Sequence, residues 1–370
     1  MTAFPSTLPP GTGQKHLILL GAGQSHLDVL TQWAVRPVAG VQVSLVTPLA
    51  QYFHKGMLPG LVTGLYAPED CVTALEPLIH NSGIRRITRH AAGIDTQTQT
   101  ILLDDGSRIH YDWLSINTGL TQDRSRIEQS IPGAREFGLF VRPPEGFVSM
   151  WPRVMELPAD VSRSVAVIGG DTTGIELAMA IRYCLPNSAV TLITGGNPVA
   201  SHLPGAIQQR VERMLKKQNI TVLIDWATGL QRGEALLGCG ARLACDIPIL
   251  NTGIQAPSWL VKSGLTLDDT GLVVVDACQR STSHANVFAA GSVSTLAGDA
   301  GLGNNLAAAV SGMEPRPVLT RKQALQLLSC GRDSAIAGWH GLSVQGRLVA
   351  WWKERSDRRL AHRWPQQTAT

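Results

Sequence analysis

Short apolar runs and amphipathic stretches alternate along this chain, and the same order appears twice. His16-Leu17-Ile18-Leu19-Leu20 is an apolar run of strand length. Gly21-Ala22-Gly23-Gln24-Ser25-His26 follows, and then residues 27–36, in which Leu27, Leu30, Trp33 and Ala34 recur at helical spacing. Residues 41–46 are again β-rich. The pattern predicts strand, glycine-rich turn, helix, strand, which is a βαβ unit. About 150 residues later it returns: Ser164-Val165-Ala166-Val167-Ile168, the turn Gly169-Gly170-Asp171-Thr172-Thr173-Gly174, a helix over 175–183 and a strand over 190–193. Between the two units, residues 68–82 read as helix. Residues 84–111 read as short strands with a hairpin signal at Asp104-Asp105-Gly106. Residues 111–119 and 246–253 each read as a strand ending in Thr-Gly. Two further strands are expected at 271–276 and 286–292, a helix at 302–311, and a proline-containing linker at 313–317 before a C-terminal segment.

A glycine turn between strand and helix has a specific use. The first glycine permits a tight bend, and the second lets backbone approach a pyrophosphate. The helix start then offers free N–H groups and partial positive charge. The candidates are Gly21, Gly23, Gln24, Ser25 and His26 in the first turn, and Gly169, Gly170, Thr173 and Gly174 in the second. His26 stands where a third glycine is usual, and reads as a packing and hydrogen-bonding residue rather than a proton shuttle. Two such turns, each in strand–helix context, are far more specific than one. The expected fold is α/β, with two Rossmann-like (three-layer ββα) dinucleotide-binding domains, the second inserted in the first. The first would span 15–125 and 265–312, the second 140–256, and a small C-terminal segment 313–370.

Composition changes this picture little. The chain has 370 residues, 44% hydrophobic and 16% charged, which suits a globular protein with more than one core. Residues 1–14 are rich in Pro, Gly and Thr, without the features of a secretory signal, and read as a disordered lead-in. No apolar run reaches the roughly 18 residues that span a bilayer. The expected location is the cytoplasm, or the inner face of the membrane by peripheral attachment. Six cysteines are scattered without a CxxC pair, which excludes a closely spaced redox dithiol. No His/Cys set has metal-ligand spacing, so no metal is expected; there is no nucleophile elbow and no nucleic-acid motif. Charge is uneven: residues 320–370 hold nine Lys/Arg and three Asp/Glu, so +6 of a net +4 and −2 elsewhere. This tail carries Trp339, Trp351, Trp352 and Trp364. It reads as a packed unit with a solvated charged face, or as a basic surface for an anionic membrane; no long amphipathic period is visible in it.

Taken in order, the first turn, "YDWLSINTG", "VIGGDTTGIELA", "ILNTGIQAPSWL" and "STSHANVFAAGS" resemble the two-dinucleotide-binding flavoproteins of the pyridine nucleotide-disulfide oxidoreductase superfamily. "YFHKGMLPGLVTGLY" at residues 52–66 resembles type II NADH dehydrogenases. With GxGxSH at 21–26 and the C-terminal stretch, it is closer still to the oxidoreductase domain found fused to selenide, water dikinase. The resemblance covers residues 16 to about 360. It implies FAD on the first module, with its pyrophosphate facing Gly21, Gly23 and the following helix, Thr118-Gly119 near the nucleotide, and Gly291-Ser292 near the ribitol. It implies NADH or NADPH on the second, held by Gly169, Gly170, Thr173, Gly174 and Glu176. Electrons would pass through flavin to a small acceptor such as a quinone. Lys55, beside the "GMLPG" segment, would stabilise reduced flavin, or is simply a loop lysine. Glu176 would contact the nicotinamide side, or complement the helix dipole.

Four positions depart from the family's pattern. Thr47 ends the second strand where an acidic residue commonly grips the adenine ribose. Asp171 replaces the second glycine of the second turn; it would repel a pyrophosphate, or serve as a solvent-facing N-cap. Ser292 replaces an aspartate, and the stretch 292–306 is short. An alternative reading is therefore a flavin-binding accessory or sensor protein with a degenerate NAD(P)H site. A sulfide:quinone oxidoreductase is disfavoured, because its flavin-proximal cysteines have no counterparts here.

Overall fold

The computed structural model describes residues 14–156, 162–296, 298, 300–318 and 325–364. The proposed lead-in, apart from Gln14, lies outside these residues, as do Arg321 and Lys322 of the basic tail and its last six residues.

The first unit begins with β1 (Lys15–Leu20), α1 (Gln24–Val35) and β2 (Val41–Val46). Residues 17–20 of β1 are buried on both faces, as expected of an interior parallel strand, and α1 turns Leu27, Leu30 and Trp33 inward at helical spacing. After α2 (Leu58–Val62) and α3 (Leu75–Ser82), β3 (Arg85–Ile87) and β4 (Trp113–Ile116) extend the sheet. The second unit comprises β5 (Leu139–Phe140), β6 (Ser164–Ile168), α4 (Thr172–Cys184), β7 (Ala189–Ile193), α5 (Gly205–Lys217), β8 (Ile220–Leu223) and β9 (Ile247–Leu250). The chain then returns to the first sheet with β10 (Val287–Ala289) and α6 (Leu302–Val310). It ends in a three-stranded antiparallel sheet, β11 (Gln326–Ser329), β12 (Ala335–Trp339) and β13 (Leu342–Gly346), and the helix α7 (Arg347–Ala361).

Both large sheets are five-stranded and parallel, ordered β10-β4-β1-β2-β3 and β5-β9-β6-β7-β8. Each central strand leads through its glycine turn into a helix. A small antiparallel three-stranded sheet accompanies each, at Ala91–Asp95, Thr100–Leu103 and Arg108–His110 in the first unit, and at Ala227–Gln231, Glu234–Leu237 and Arg242–Ala244 in the second. This is the expected α/β architecture of two dinucleotide-binding units.

Two expected elements differ. Residues 68–82 are not one helix: Val72–Ala74 is a strand paired with Gln51–Phe53, and α3 starts only at Leu75. The β-branched and small residues there find cross-strand partners that outweigh weak helical periodicity. Residues 271–276 form isolated bridges rather than a strand, with Val273 paired to Leu267 and Ser294. The C-terminal helix α7 escaped the periodicity reading because its inward face mixes apolar Val349 and Ala361 with charged Lys353 and Asp357, while Leu348, Trp351 and Trp352 are exposed.

Phe288 of β10 is fully buried beside Trp113, 6.4 Å between ring centroids, and locks the returning strand into the first core. Phe288→Ala is expected to cost about 3–5 kcal/mol of stability, read from denaturant midpoints at constant slope. A cost under about 1 kcal/mol would mean that this strand is not integral to the first core.

Candidate functional site

Gly21 ends β1 with φ +89°, a left-handed conformation natural to glycine. Its N–H donates to the Val46 carbonyl at 2.8 Å, and a Cβ here would lie 2.6 Å from the Asn117 carbonyl oxygen. Gly23 donates to that same carbonyl at 3.1 Å, and a Cβ on it would drive into the Asn117 side chain. Gly23 is also the N-cap of α1 and supplies no capping side chain. The turn therefore lies flat against the end of β4, with backbone rather than side chains at its surface.

A cavity of about 560 Å³ opens along this turn, within the ordinary range for small-molecule and cofactor sites. Gly21, Ala22, Gly23 and Gln24 line it. Thr47, Lys55, Arg89, His90, Thr118, Gly119, Arg142, Trp259, Gly291 and Ser292 are among the other lining residues. Lys55 Nζ and Ser292 Oγ converge on Gly119, lying 3.5 and 3.6 Å from where its Cβ would stand. Thr47 Oγ1 accepts from the Leu49 N–H at 3.3 Å.

Three cations line this cavity: Arg89, which is paired with Asp105, and Lys55 and Arg142. The Lys55 side chain reaches open space yet is enclosed by the cavity walls; that desolvation pulls its ammonium down to about 8, with Arg142 adding repulsion and Glu145 opposing it. Burial likewise lowers the Arg142 guanidinium, against the pull of Asp171. Arg142 thus lines the first cavity while sensing the second turn. Sequence reasoning missed it, along with Glu145 and Trp259. No local motif marks Arg142 or Glu145, and Trp259, although inside the family-like segment 249–260, has no glycine turn beside it to signal a role; the crossing between units brings all three to the cavity.

The second turn repeats the hydrogen bonding of the first. Gly169 N–H donates to Ile193 O at 2.8 Å, as Gly21 does to Val46, and Asn251 N–H to Ile168 O at 2.8 Å, as Asn117 does to Leu20. Its helix end differs. Asp171 is the N-cap of α4: its Oδ1 accepts the Gly174 N–H at 2.9 Å and the Asn251 amide at 2.6 Å, while the residue stays exposed. A carboxylate thus already engages amides that could otherwise face a phosphate. Gly170 packs against Thr194, and Gly174 against the Gly169 carbonyl.

Nine sequence-designated residues line the cavity together: Gly21, Gly23, Gln24, Thr47, Lys55, Thr118, Gly119, Gly291 and Ser292. Ser25 instead lines a neighbouring recess of about 320 Å³. His26 lies beneath the turn, fully buried, with Nδ1 2.6 Å from the Gly21 carbonyl and Nε2 2.8 Å from Ser115 Oγ. A carbonyl can only accept, so the proton sits on Nδ1 and Ser115 donates to Nε2. Gly169, Gly170, Thr173 and Gly174 gather at the second turn. Glu176 leaves that group: it is buried on α4 toward the C-terminal unit, where Oε1 accepts the Ser329 N–H at 2.7 Å. Burial pushes its carboxyl up to about 7, with Lys353 opposing. No cysteine lines the cavity, and burial raises the Cys71 and Cys330 thiols to about 12 and Cys184 to about 11, far from thiolate chemistry.

The family described as pyridine nucleotide-disulphide oxidoreductase matches residues 15–316. Ferroptosis suppressor protein 1 of Mus musculus is 25% identical over 378 residues, 95% of this chain and 96% of the mouse protein. The sulfide-quinone reductase of Aquifex aeolicus is 22% identical over 308 residues, 76% of this chain and 69% of that protein. Among solved structures, the sulfide:quinone oxidoreductase of Aquifex aeolicus superposes with a TM-score of 0.77 at 17% identity, covering 94% of this chain and 92% of that one. NDH2 from Plasmodium falciparum in complex with NADH gives 0.71 at 14%, covering 94% and 97%. These superpositions establish the shared fold.

Burial pulls the His26 imidazole down to about 4, and burial with repulsion from His362 does the same to His54. In the unfolded chain both titrate near 6.5, so between those values the unfolded state binds more protons. Stability is then complete above about pH 6.5 and lost progressively as pH falls toward 4. Urea midpoints measured from pH 7 to 4.5 should decline, and His26→Gln should flatten the decline. Parallel curves for the two proteins would show that His26 does not titrate this way.

Proposed function

The chain belongs to that family, and from this premise we propose that it is an FAD-dependent oxidoreductase drawing electrons from NADH or NADPH and delivering them to a quinone-like or other small acceptor. The observation that carries the reading is the cavity along the start of α1, which is lined by the bare glycine backbone of the first turn and by three cations, Lys55, Arg89 and Arg142. When bound, FAD supplies hydride acceptance from a nicotinamide and electron donation to an acceptor. The chain's residues fit that group. Gly21 and Gly23 admit a pyrophosphate to the amides at the start of α1. Thr47 offers the adenine ribose one hydroxyl in place of a carboxylate, and Ser292 offers the ribitol an uncharged oxygen. Lys55 and Arg142 favour negative charge developing beside them. Pro143, Pro257 and Trp259 keep that wall of the cavity largely apolar.

The quinone names borne by two relatives, sulfide-quinone reductase and sulfide:quinone oxidoreductase, support an apolar acceptor. So does the C-terminal unit. Leu342, Leu348 and Trp351 are exposed there beside Arg347 and Arg355, with Leu348 84% accessible. No helix among the described residues is long and apolar enough to cross a membrane. This basic, tryptophan-bearing face suits peripheral attachment to an anionic membrane surface. A second reading has its own observation. Because Asp171 already occupies donors at the second turn, the chain would bind flavin yet ignore NAD(P)H, serving as a sensor or accessory protein.

Anaerobic titration of the flavin-loaded chain with NADH and with NADPH separates the two: bleaching of the oxidised-flavin band is expected, and a band unmoved by both establishes the sensor reading. Gly23→Ala should weaken FAD binding by roughly a hundredfold, about 2.7 kcal/mol, in a dialysis assay while the chain stays folded. Full FAD affinity in that variant refutes the first-turn site. Co-sedimentation should be greater with anionic than with zwitterionic vesicles and fall in Trp351→Ser; equal recovery on both counts against membrane attachment.

A further inference from the structure

Helix α7 has two faces with different company. Leu348, Trp351 and Trp352 look outward. Lys353 looks inward and is buried, with its ammonium donating to the Gly56 carbonyl at 3.1 Å and to Asp357 Oδ2 at 2.8 Å. That same Asp357 oxygen accepts the Tyr66 hydroxyl at 3.1 Å. Just beyond the helix, Trp364 is 1% exposed and inserted into the first unit's core. Its indole N–H donates to Asp28 at 3.1 Å, and its ring stacks on the His54 imidazole, 5.5 Å between centroids at 23°. His54 is tied in turn to Thr73 Oγ1 at 2.8 Å.

These contacts share a target. His54 and Gly56 are the two chain neighbours of Lys55, and both are gripped from the C-terminal unit, one by a stacked ring and the other by a buried ammonium. Lys55 opens the tight 3₁₀ turn Lys55–Met57, so its backbone direction is set by those neighbours. A buried lysine is a costly way to fill space, since an apolar side chain of similar volume would pack as well or better. What a lysine adds is a directed bond to one carbonyl oxygen.

We propose that Lys353 and Trp364 are positioning residues for Lys55: by holding Gly56 and His54 they fix where the Lys55 ammonium stands in the cavity. The C-terminal unit then completes the first nucleotide site from behind without touching its contents. This rests on the proposed role of Lys55 beside the flavin only for its consequence in catalysis; the positioning itself is a property of the chain. The charged groups facing Lys55 are Arg142 and Glu145 across the cavity. The Lys353–Asp357 pair behind the turn is balanced, so the test must remove both charges together.

The test is pH-dependent acylation of Lys55 by acetic anhydride in the full chain, read by peptide mass spectrometry beside the bound flavin's midpoint potential. The wild-type reactivity midpoint is expected near the lowered value of about 8. In Lys353→Met/Asp357→Asn the freed turn lets Lys55 swing away from Arg142 and the cavity walls, and its midpoint should rise by at least one pH unit, a tenfold fall in free amine at any pH below the midpoints. Lys353→Arg should stay near wild type. Trp364→Leu, which keeps an apolar plug but removes the stack, should shift upward as well, and carries the test if the double variant does not fold. Profiles that superpose on wild type while unfolding temperatures drop would overturn the proposal and leave both residues merely stabilising. Lys55→Met reports on the underlying reading separately. An unchanged midpoint potential in that variant would remove Lys55 from the flavin's surroundings, while the acylation shifts would still stand.

Discussion

The close approach of a glycine turn to the end of a neighbouring strand is the constraint on which this structure depends. Gly21 and Gly23 lie so near the backbone of Asn117 and Thr118 that a single added carbon would not fit. That contact aligns β1 with β4, brings the start of α1 to the cavity and leaves backbone rather than side chains at the turn. Gly169 and Asn251 repeat it in the second unit with the same donor–acceptor pairing. The two parallel sheets are thus two executions of one local solution, and the other elements, the paired antiparallel sheets included, are arranged around them.

Within that shared plan the two turns have diverged at their helix starts. The first has glycine at the N-cap and a histidine tucked beneath it, bonded to the turn's own carbonyl and to Ser115. The second has an aspartate whose carboxylate consumes two donors. Electrostatics follow the same division. Cations line the cavity that the first turn borders, while an anion caps the second, and Arg142 interacts with both Lys55 and Asp171. The asymmetry separates a helix start without a side-chain cap from one whose Gly174 N–H is already taken by Asp171.

The C-terminal unit ties these parts together. Trp364 reaches the first core, Ser329 reaches Glu176 on α4, and Lys353 reaches the turn before α2. Glu176 shows how far a motif can be read. Its place eight residues into the second glycine signature suggests a nucleotide contact, yet its burial and its bond to Ser329 put it in an internal seam. The sequence had no means of showing this, because a one-dimensional motif records distance from the turn but not which face of α4 a later segment will cover.

The parallel strands and both glycine turns were legible from sequence, because each rests on local physics: apolar runs of strand length and glycines placed between a strand and a helix start that needs its donors satisfied. Thr47, Lys55, Thr118, Gly119, Gly291 and Ser292, which also line the cavity, were singled out by the family resemblance alone, because they lie in or next to its recognisable segments. What only the tertiary structure decided is everything brought together across long separations. Arg142 and Trp259 enter the cavity by the crossing between units, residues 72–74 became a strand because residues 51–53 came to meet them, and α7 took its hold on the neighbours of Lys55 from some 300 residues away. Local rules fix what a segment prefers, but which side chains share one cavity depends on contacts whose partners are unspecified until the chain has closed on itself.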